Sequence, residues 1–231
     1  METWAEPWGF VSPLEKRGYR VRTVSVEHLP EIEEEIEGHR RAGRLDEEFA
    51  RVRLGWLRFR PPDELPEARC LIVVALPRPQ AQALFHRHGR ELPLILPPTY
   101  VPYEEVNRQV RELLASLVAP AGGRVARTRL PLKLLAARSG LAVYGRNNIC
   151  YVPGMGSFLQ LVAAYSDLPP AADHWGEARM MERCLNCLAC RHHCPTGAIP
   201  ADRFLLRAER CLSFHNERPG TVAFPAVSYT H

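Results

Sequence analysis

The sequence lacks any long uninterrupted apolar run, although 46% of its 231 residues are hydrophobic. A helix that crosses a bilayer needs about 20 consecutive apolar residues, so no membrane-spanning helix is predicted. The first residues, Met1 to Pro7, are acidic and contain a proline, unlike a secretory signal. We also find no internal repeat and no low-complexity tract. These absences predict a globular protein of the cytoplasm that does not associate with membranes.

Acidic residues are missing from the whole stretch between Glu112 and Asp167. Six basic residues fall within it: Arg124, Arg127, Arg129, Lys133, Arg138 and Arg146. The net charge of +4 is too small to indicate a nucleic-acid-binding protein by itself. The uneven distribution predicts that something anionic docks against this region. A solvated basic helix is the alternative.

Cysteine is concentrated in one part of the chain, since five of the seven cysteines lie between Cys184 and Cys211. Cys184, Cys187 and Cys190 are spaced three apart, and Cys194 follows with a proline directly after it. This spacing is typical of the ferredoxin segments that bind a 4Fe–4S cluster. The small residues at 196–200 predict backbone N–H groups close to the cluster sulfurs. We therefore assign these five cysteines to iron–sulfur binding.

Other uses of these residues fit the pattern less well. A structural zinc site normally has two well-separated ligand pairs, whereas these ligands are crowded into one run. A disulfide framework is also disfavoured, because a cytoplasmic protein keeps its thiols reduced. His192 and His193 are not assigned as ligands. Cys70 and Cys150 stand alone in apolar segments and are predicted to be core residues.

Cys211 leaves the number of clusters open. In two-cluster ferredoxin folds, the fourth cysteine of the first motif ligates the other cluster. Cys194 and Cys211 would then need two further ligands beyond His231, and the first three cysteines would lack their fourth. Either the chain is part of a longer protein, or it holds one cluster that Cys194 or Cys211 completes.

Hydrophobic periodicity predicts an α+β fold. The continuous apolar run at 70–76 is typical of a central strand that is covered on both faces. Further strands are expected at 19–26, 81–86, 92–96 and 148–152, and helices at 31–41, 45–54, 103–117, 130–140 and 201–210. Residues 158–165 fit either a strand or a helix. A proline-containing linker at 167–173 divides an α/β domain (1–170) from a cysteine-rich module (171–231).

With these residues in hand, the chain resembles the epoxyqueuosine reductase family over most of its length. These are cobalamin-dependent iron–sulfur enzymes that complete queuosine in tRNA and are related to reductive dehalogenases. The similar segments, apart from the cysteines, are Arg58-Phe59-Arg60-Pro61 through Arg69, Leu134 to Asn147, Gly156-Ser157-Phe158, Asp167-Leu168-Pro169 and Arg210-Cys211-Leu212-Ser213.

The resemblance implies a nitroreductase-like sandwich that binds a corrinoid, followed by a ferredoxin-like iron–sulfur module. It implies that electrons pass from a 4Fe–4S cluster to cobalamin and on to a small molecule or modified nucleoside. By position, Arg60, Tyr103 and Ser157 are the expected corrinoid contacts. The expected partners are an electron donor of the ferredoxin or flavodoxin type and tRNA or another anionic substrate.

The sequence departs from the family pattern at the expected proton donor. The family places an aspartate shortly before the proline of the central segment, whereas residues 124–131 contain no acid. Tyr144 or Tyr151 is the candidate substitute, and the chain represents a divergent subfamily. The second hypothesis is a non-catalytic iron–sulfur protein of electron transfer or regulation, which binds no cobalamin.

Overall fold

The structure is a computed structural model that describes residue 9, residues 11–98 and residues 102–216. Its strands are β1 (Arg20–Ser25), β2 (Cys70–Pro77), β3 (Ala81–Arg87), β4 (Arg90–Leu96), β5 (Val125–Arg127), β6 (Val143–Tyr144), β7 (Cys150–Tyr151) and β8 (Leu159–Ser166). Its α-helices are α1 (Val11–Lys16), α2 (Leu29–Arg41), α3 (Glu47–Phe49), α4 (Tyr103–Val118), α5 (Leu132–Arg138), α6 (Arg183–Asn186), α7 (Ala189–His192) and α8 (Leu212–Asn216). A π-helix, Ala50–Leu54, follows α3. The predicted mixed α and β class is confirmed.

Four strands form the central sheet in the spatial order β1-β2-β8-β5, with every pair antiparallel. In the register, Val74 faces Val21 on one side and Val162 on the other. The apolar run at 70–76 therefore lies inside the sheet, as its lack of polar residues predicts. Residues 158–165, which fitted either element, form most of strand β8.

Each face of this sheet carries its own apolar core. On one face, Ile72 and Val74 pack with Val110 and Leu114 of α4. On the other, Leu71 and Val73 belong to a cluster that includes buried residues of α2 and α5. Adjacent side chains of a strand point to opposite faces, so a strand between two cores must be apolar at every position. This explains why Cys70 to Leu76 are all buried.

Helix α4 is amphipathic, as its sequence predicts. Val106, Val110, Leu114 and Val118 recur every four residues and are buried against the sheet. The predicted helix at 31–41 is also confirmed, and it begins two residues earlier, with a proline in its first turn. The strand pair β3 and β4 is joined by His88 and Gly89, which both have positive φ. This is the conformation that a two-residue hairpin turn requires.

The segment predicted to be a linker is fastened to the first strand. The hydroxyl of Thr23 donates to the carbonyl of Ala172 at 3.1 Å and accepts from the N–H of Ala171 at 3.0 Å. The N–H of Ser25 donates to the carboxylate of Asp173 at 2.9 Å. These contacts hold the start of the C-terminal segment against the edge of the sheet.

The prediction of a helix at 201–210 is wrong. Only the 3₁₀ turn Ala208–Arg210 forms there, because the preceding residues make tertiary contacts instead of local ones. Phe204 packs against the ring of Tyr144 at 4.8 Å, and Arg203 donates to the carbonyl of Arg44. Residues 219–231, where no regular pattern was predicted, lie outside the described residues. Within the described ranges, no helix combines the length and the apolar character needed to cross a membrane.

Candidate functional site

The cysteine segment, residues 183–211, places four of its five thiols on or beside two short helices. Cys184 lies in α6, Cys187 ends that helix, Cys190 lies in α7 and Cys194 follows it. Cys211 comes directly after the 3₁₀ turn. All five are free thiols, and none is buried. In the part of the chain that the structure describes, no three His, Cys, Asp or Glu side chains are grouped so as to hold a metal ion.

The sulfur of Cys194 has the surroundings of a thiolate. Burial raises the pKa of this thiol, but hydrogen bonds from the Thr196 side chain and from the N–H groups of Thr196, Ile199 and Ala198 outweigh burial and lower it. The chain turns around the sulfur at Gly197, whose φ of +65° favours glycine. Iron binds the thiolate form of cysteine. The donor chemistry of Cys194 therefore fits an iron–sulfur cluster, although the described thiols are not gathered into a metal site in this structure.

The contact between Arg146 and the cysteine segment was not predicted from the sequence. The guanidinium of Arg146 donates to the carbonyl oxygen of Cys184 at 2.8 and 3.2 Å and to that of Leu185 at 3.3 Å. Arg146 lies in the connection between β6 and β7, so it joins the sheet domain to helix α6. Carbonyl acceptors leave no signal in the sequence, because every residue has one.

Beside this segment lies a cleft of about 1210 Å³. Leu159, Leu161 and Ala163 of strand β8 form one wall, and Phe204 and Leu205 of the cysteine segment line it as well. Pockets that hold drug-sized ligands measure roughly 300–1,000 Å³. The cleft is therefore large enough for a bulky cofactor or for a nucleoside.

Three of the five predicted contact and acid residues line the cleft. Tyr103, Ser157 and Tyr144 are among its lining residues, whereas Arg60 and Tyr151 are not. Arg60 is exposed, and its carbonyl accepts a hydrogen bond from the hydroxyl of Tyr165 at 3.1 Å. The structure thus brings three of the residues together, while the role of each stays a prediction.

The two candidate acids differ in their surroundings. Tyr144 is only 7% exposed, and burial raises the pKa of its phenol. Burial therefore keeps the phenol of Tyr144 protonated, and it also makes this phenol a weaker acid than an exposed tyrosine. Tyr151 is half-buried, and its hydroxyl accepts a hydrogen bond from Asn147 at 3.4 Å. Of the two candidates, only Tyr144 lines the cleft.

The rim of the cleft is mainly basic. Its charged lining residues are Glu35, Glu104, Arg53, Arg111, Arg127, Lys133 and Arg179. Arg127 approaches Glu104 at 3.9 Å, and Arg129, also in the acid-free stretch, does not line the cleft. The cleft therefore suits an anionic or phosphate-bearing ligand better than a cationic one.

Sequence reasoning missed several lining residues. Trp56 lines the cleft and is 48% exposed. An exposed tryptophan can indicate a binding site, but the exposure is not visible in the sequence. Asn148 lines it with a φ of +59°, and Cys150 contributes a thiol whose pKa burial raises to about 11. The prediction that Cys70 and Cys150 are buried is confirmed.

The fold and the site define a mixed α/β protein in which a large cleft lies beside a cysteine-rich segment. No protein-family model matches the sequence. The epoxyqueuosine reductase of Salmonella typhimurium is 29% identical over 176 residues, which cover 71% of this chain and 44% of that enzyme. The chain thus spans less than half the length of this curated relative.

Solved structures agree with the sequence comparison. The epoxyqueuosine reductase of Streptococcus thermophilus superimposes with a TM-score of 0.62 and 17% identity, over 90% of this chain and 57% of that one. An epoxyqueuosine reductase with a tRNA-Tyr epoxyqueuosine-modified stem loop gives a TM-score of 0.60 and 18% identity, over 91% of this chain and 56% of that one. The chain is similar to epoxyqueuosine reductases in sequence and in fold, which confirms the predicted resemblance.

Proposed function

We propose that this chain is an iron–sulfur oxidoreductase of the epoxyqueuosine reductase type, which acts on a modified nucleoside. The observation that carries the proposal is the shared wall of the cleft. Strand β8 of the sheet and residues 204–205 of the cysteine segment line the same cavity of about 1210 Å³. A ligand in this cavity lies against the segment that supplies the thiols. The named relatives, which are reductases of a modified tRNA nucleoside, support the same reaction class.

We assign cofactor binding to two parts of the chain. Residues 1–170 form a nitroreductase-like domain whose cleft accepts cobalamin, and residues 171–231 form a ferredoxin-like 4Fe–4S module. The cleft fits a corrinoid by its size and by its mixture of apolar walls with polar residues such as Ser157 and Thr128. Bound cobalamin supplies reducing chemistry at a carbon–oxygen bond, and the protein contributes orientation, electrons and protons.

The chain's own residues provide the remaining functions. Tyr103 and Ser157 line the cleft and orient the cofactor there. Arg60 does not line it and stays a candidate contact from the resemblance alone. Tyr144 is our candidate to replace the missing aspartate, because it is the candidate acid that lines the cleft. The cysteines Cys184, Cys187, Cys190, Cys194 and Cys211 bind iron, and the raised thiolate character of Cys194 favours that binding.

Substrate RNA docks on the basic rim. Arg127 lines the cleft and is our first candidate for a phosphate contact. Arg129 does not line the cleft but belongs to the same acid-free stretch, so it is tested with Arg127. Neutralising both to glutamine should weaken binding of a tRNA anticodon stem-loop, and the loss should shrink as salt is raised. The matched control is Arg87→Gln with Arg90→Gln at the exposed tip of the β3–β4 hairpin. Unchanged stem-loop affinity in a filter assay would reject the RNA part of the proposal.

Turnover tests the reaction itself. The full chain, reconstituted anaerobically with iron, sulfide and cobalamin, is mixed with titanium(III) citrate and an epoxyqueuosine-containing stem-loop. We expect the nucleoside to lose the mass of one oxygen atom, and Tyr144→Phe to lower the rate while cofactor content stays unchanged. A reconstituted chain that binds both cofactors and leaves the nucleoside intact would reject epoxyqueuosine as the substrate.

A second function is favoured by one observation, the lack of any acid at 124–131. In this alternative the chain is an iron–sulfur protein of electron transfer or regulation, without cobalamin. It predicts iron and sulfide after reconstitution, no retained cobalt and no turnover. The large cleft argues against it, because a bare electron carrier needs no cavity of this size.

A further inference from the structure

A second, smaller pocket of about 300 Å³ lies within the cysteine segment. Arg191, Arg207 and Arg210 line it, together with Gly197 and Asp202. None of its lining residues also lines the large cleft. The pocket is therefore a separate basic surface, with three positive charges and one negative charge around it.

These arginines are interleaved with the cysteines. Arg191 lies on α7 between Cys190 and Cys194, and Arg210 directly precedes Cys211. The backbone N–H of Arg207 donates to the carbonyl of Ala198 at 2.9 Å, which ties it to the loop that surrounds the Cys194 sulfur. A partner that contacts the three guanidinium groups thus meets the same segment that holds the thiols.

The three arginines also lack acidic partners within the described ranges. None of them forms an ion pair there. Some arginines elsewhere in the structure are paired with carboxylates, as Arg108 is with Glu105 and Glu112. Arg191 and Arg210 are exposed, and Asp202 lines the pocket without pairing with any of the three. Their charge is therefore available to a partner other than the described residues.

We propose that the surface formed by Arg191, Arg207 and Arg210 docks an acidic one-electron carrier protein of the ferredoxin or flavodoxin class. The inference rests on the proposed iron–sulfur function. Complementary charge steers such a carrier to the cysteine segment and raises the rate of encounter. One electron leaves the reduced carrier and converts one oxidised 4Fe–4S cluster to its one-electron-reduced form, with no bond or proton exchanged. An RNA phosphate is the less favoured occupant, because these arginines belong to the segment that holds the thiols and do not line the cleft.

Stopped-flow reduction of the reconstituted full chain by a reduced plant-type 2Fe–2S ferredoxin tests the proposal. The test variant carries Arg191→Glu, Arg207→Glu and Arg210→Glu. The matched control carries Lys16→Glu, Arg87→Glu and Arg90→Glu, an equal change of charge on exposed residues outside the cysteine segment. Titanium(III) citrate, a small reductant that needs no docking surface, reports on the cluster itself.

We expect the second-order rate with ferredoxin at low salt to fall at least about tenfold in the test variant and much less in the control. The wild-type rate should fall with added salt, and titanium(III) citrate should reduce all three proteins equally fast. Three results would overturn the docking surface: equal ferredoxin rates in wild type and test variant, equal slowing in both variants, or loss of stem-loop RNA binding with an unchanged ferredoxin rate. A wild-type chain that binds no iron would instead overturn the proposed function, and the docking surface with it.

Discussion

The central sheet and the cysteine segment are stabilised in opposite ways. Strand β2 is buried at every position from Cys70 to Leu76, between two apolar cores. Between residues 183 and 197 no residue is buried, and the helices α6 and α7 have four residues each. Helices this short have little stability of their own. The sheet is thus held by burial, whereas the cysteine segment depends on polar contacts and, in the proposed function, on a bound cluster.

The largest effect expected from this contrast is loss of the cluster without loss of the fold. Cys187→Ala should abolish the broad visible absorbance of the anaerobically reconstituted protein, since Cys187 is a ligand whether Cys194 or Cys211 completes the cluster. Cys70→Ala, in the core of the sheet, should leave iron and sulfide content unchanged. Wild-type iron and sulfide in Cys187→Ala would remove the residue from the ligand set.

A pair of leucine truncations compares the two regions directly. Leu114 is fully buried on α4, and Leu185 is 59% exposed on α6. Leu114→Ala should lower the free energy of unfolding by about 2–5 kcal/mol because it opens a cavity. Leu185→Ala should change it by less than about 0.5 kcal/mol. Urea denaturation measures both, and equal losses would show that the cysteine segment is packed as tightly as the sheet.

Removing the arginine that joins the two regions should have a smaller effect. Arg146→Ala deletes the hydrogen bonds to the carbonyls of Cys184 and Leu185, each charge-assisted bond contributing roughly 1.5–3 kcal/mol. We expect iron to be released to a chelator about tenfold faster or more. Arg146→Lys should restore part of the retention, and Arg183→Ala, at an exposed position of α6, serves as the control. Identical release rates in Arg146→Ala and Arg183→Ala would show that the bonds have no such role.

The smallest effect is a pH dependence of the junction between the regions. The ring of His28 bonds to Glu31 at 2.8 Å and to Asp173 at 2.9 Å and stacks on Trp175. Arg138 also lies near this ring system, over Trp175. Burial lowers the pKa of His28, but the hydrogen bonds to the two carboxylates outweigh burial and raise it above 6.5.

A raised pKa means that protonated His28 stabilises the fold. This stabilisation is fully present below about pH 6.5 and is lost as the pH rises through the raised pKa. His28→Phe keeps an aromatic ring beside Trp175 and removes the charge. Wild type should therefore melt a few degrees above the variant near pH 6, for a difference of about 1 kcal/mol, and the gap should close at higher pH. A gap that stays constant with pH would contradict this account.

Local patterns in the sequence were enough to predict most of the sheet domain. The alternation at 19–26, the apolar run at 70–76 and the helical spacing at 103–117 each correspond to an observed element. These elements form because each buries one face or both, and burial leaves a periodic pattern. The ligand set expected from the cysteine spacing stays a prediction.

Features that depend on distant residues were not predicted. The helix expected at 201–210 is replaced by contacts such as Phe204 with Tyr144, which are far apart in sequence. The fastening of Ala171 and Ala172 to Thr23 joins residues 148 and 149 positions apart. The contact of Arg146 with Cys184 uses a carbonyl oxygen. In each case tertiary packing determines which distant residue is contacted, and this cannot be read from a single sequence.

The measurement that tests the central claim most directly is the metal content of the chain after anaerobic reconstitution with iron, sulfide and added cobalamin. The proposed function predicts iron and sulfide together with stoichiometric cobalt retained through a desalting column, and a visible spectrum of base-off cobalamin. Iron and sulfide without retained cobalt would contradict the corrinoid cleft and favour the electron-transfer protein.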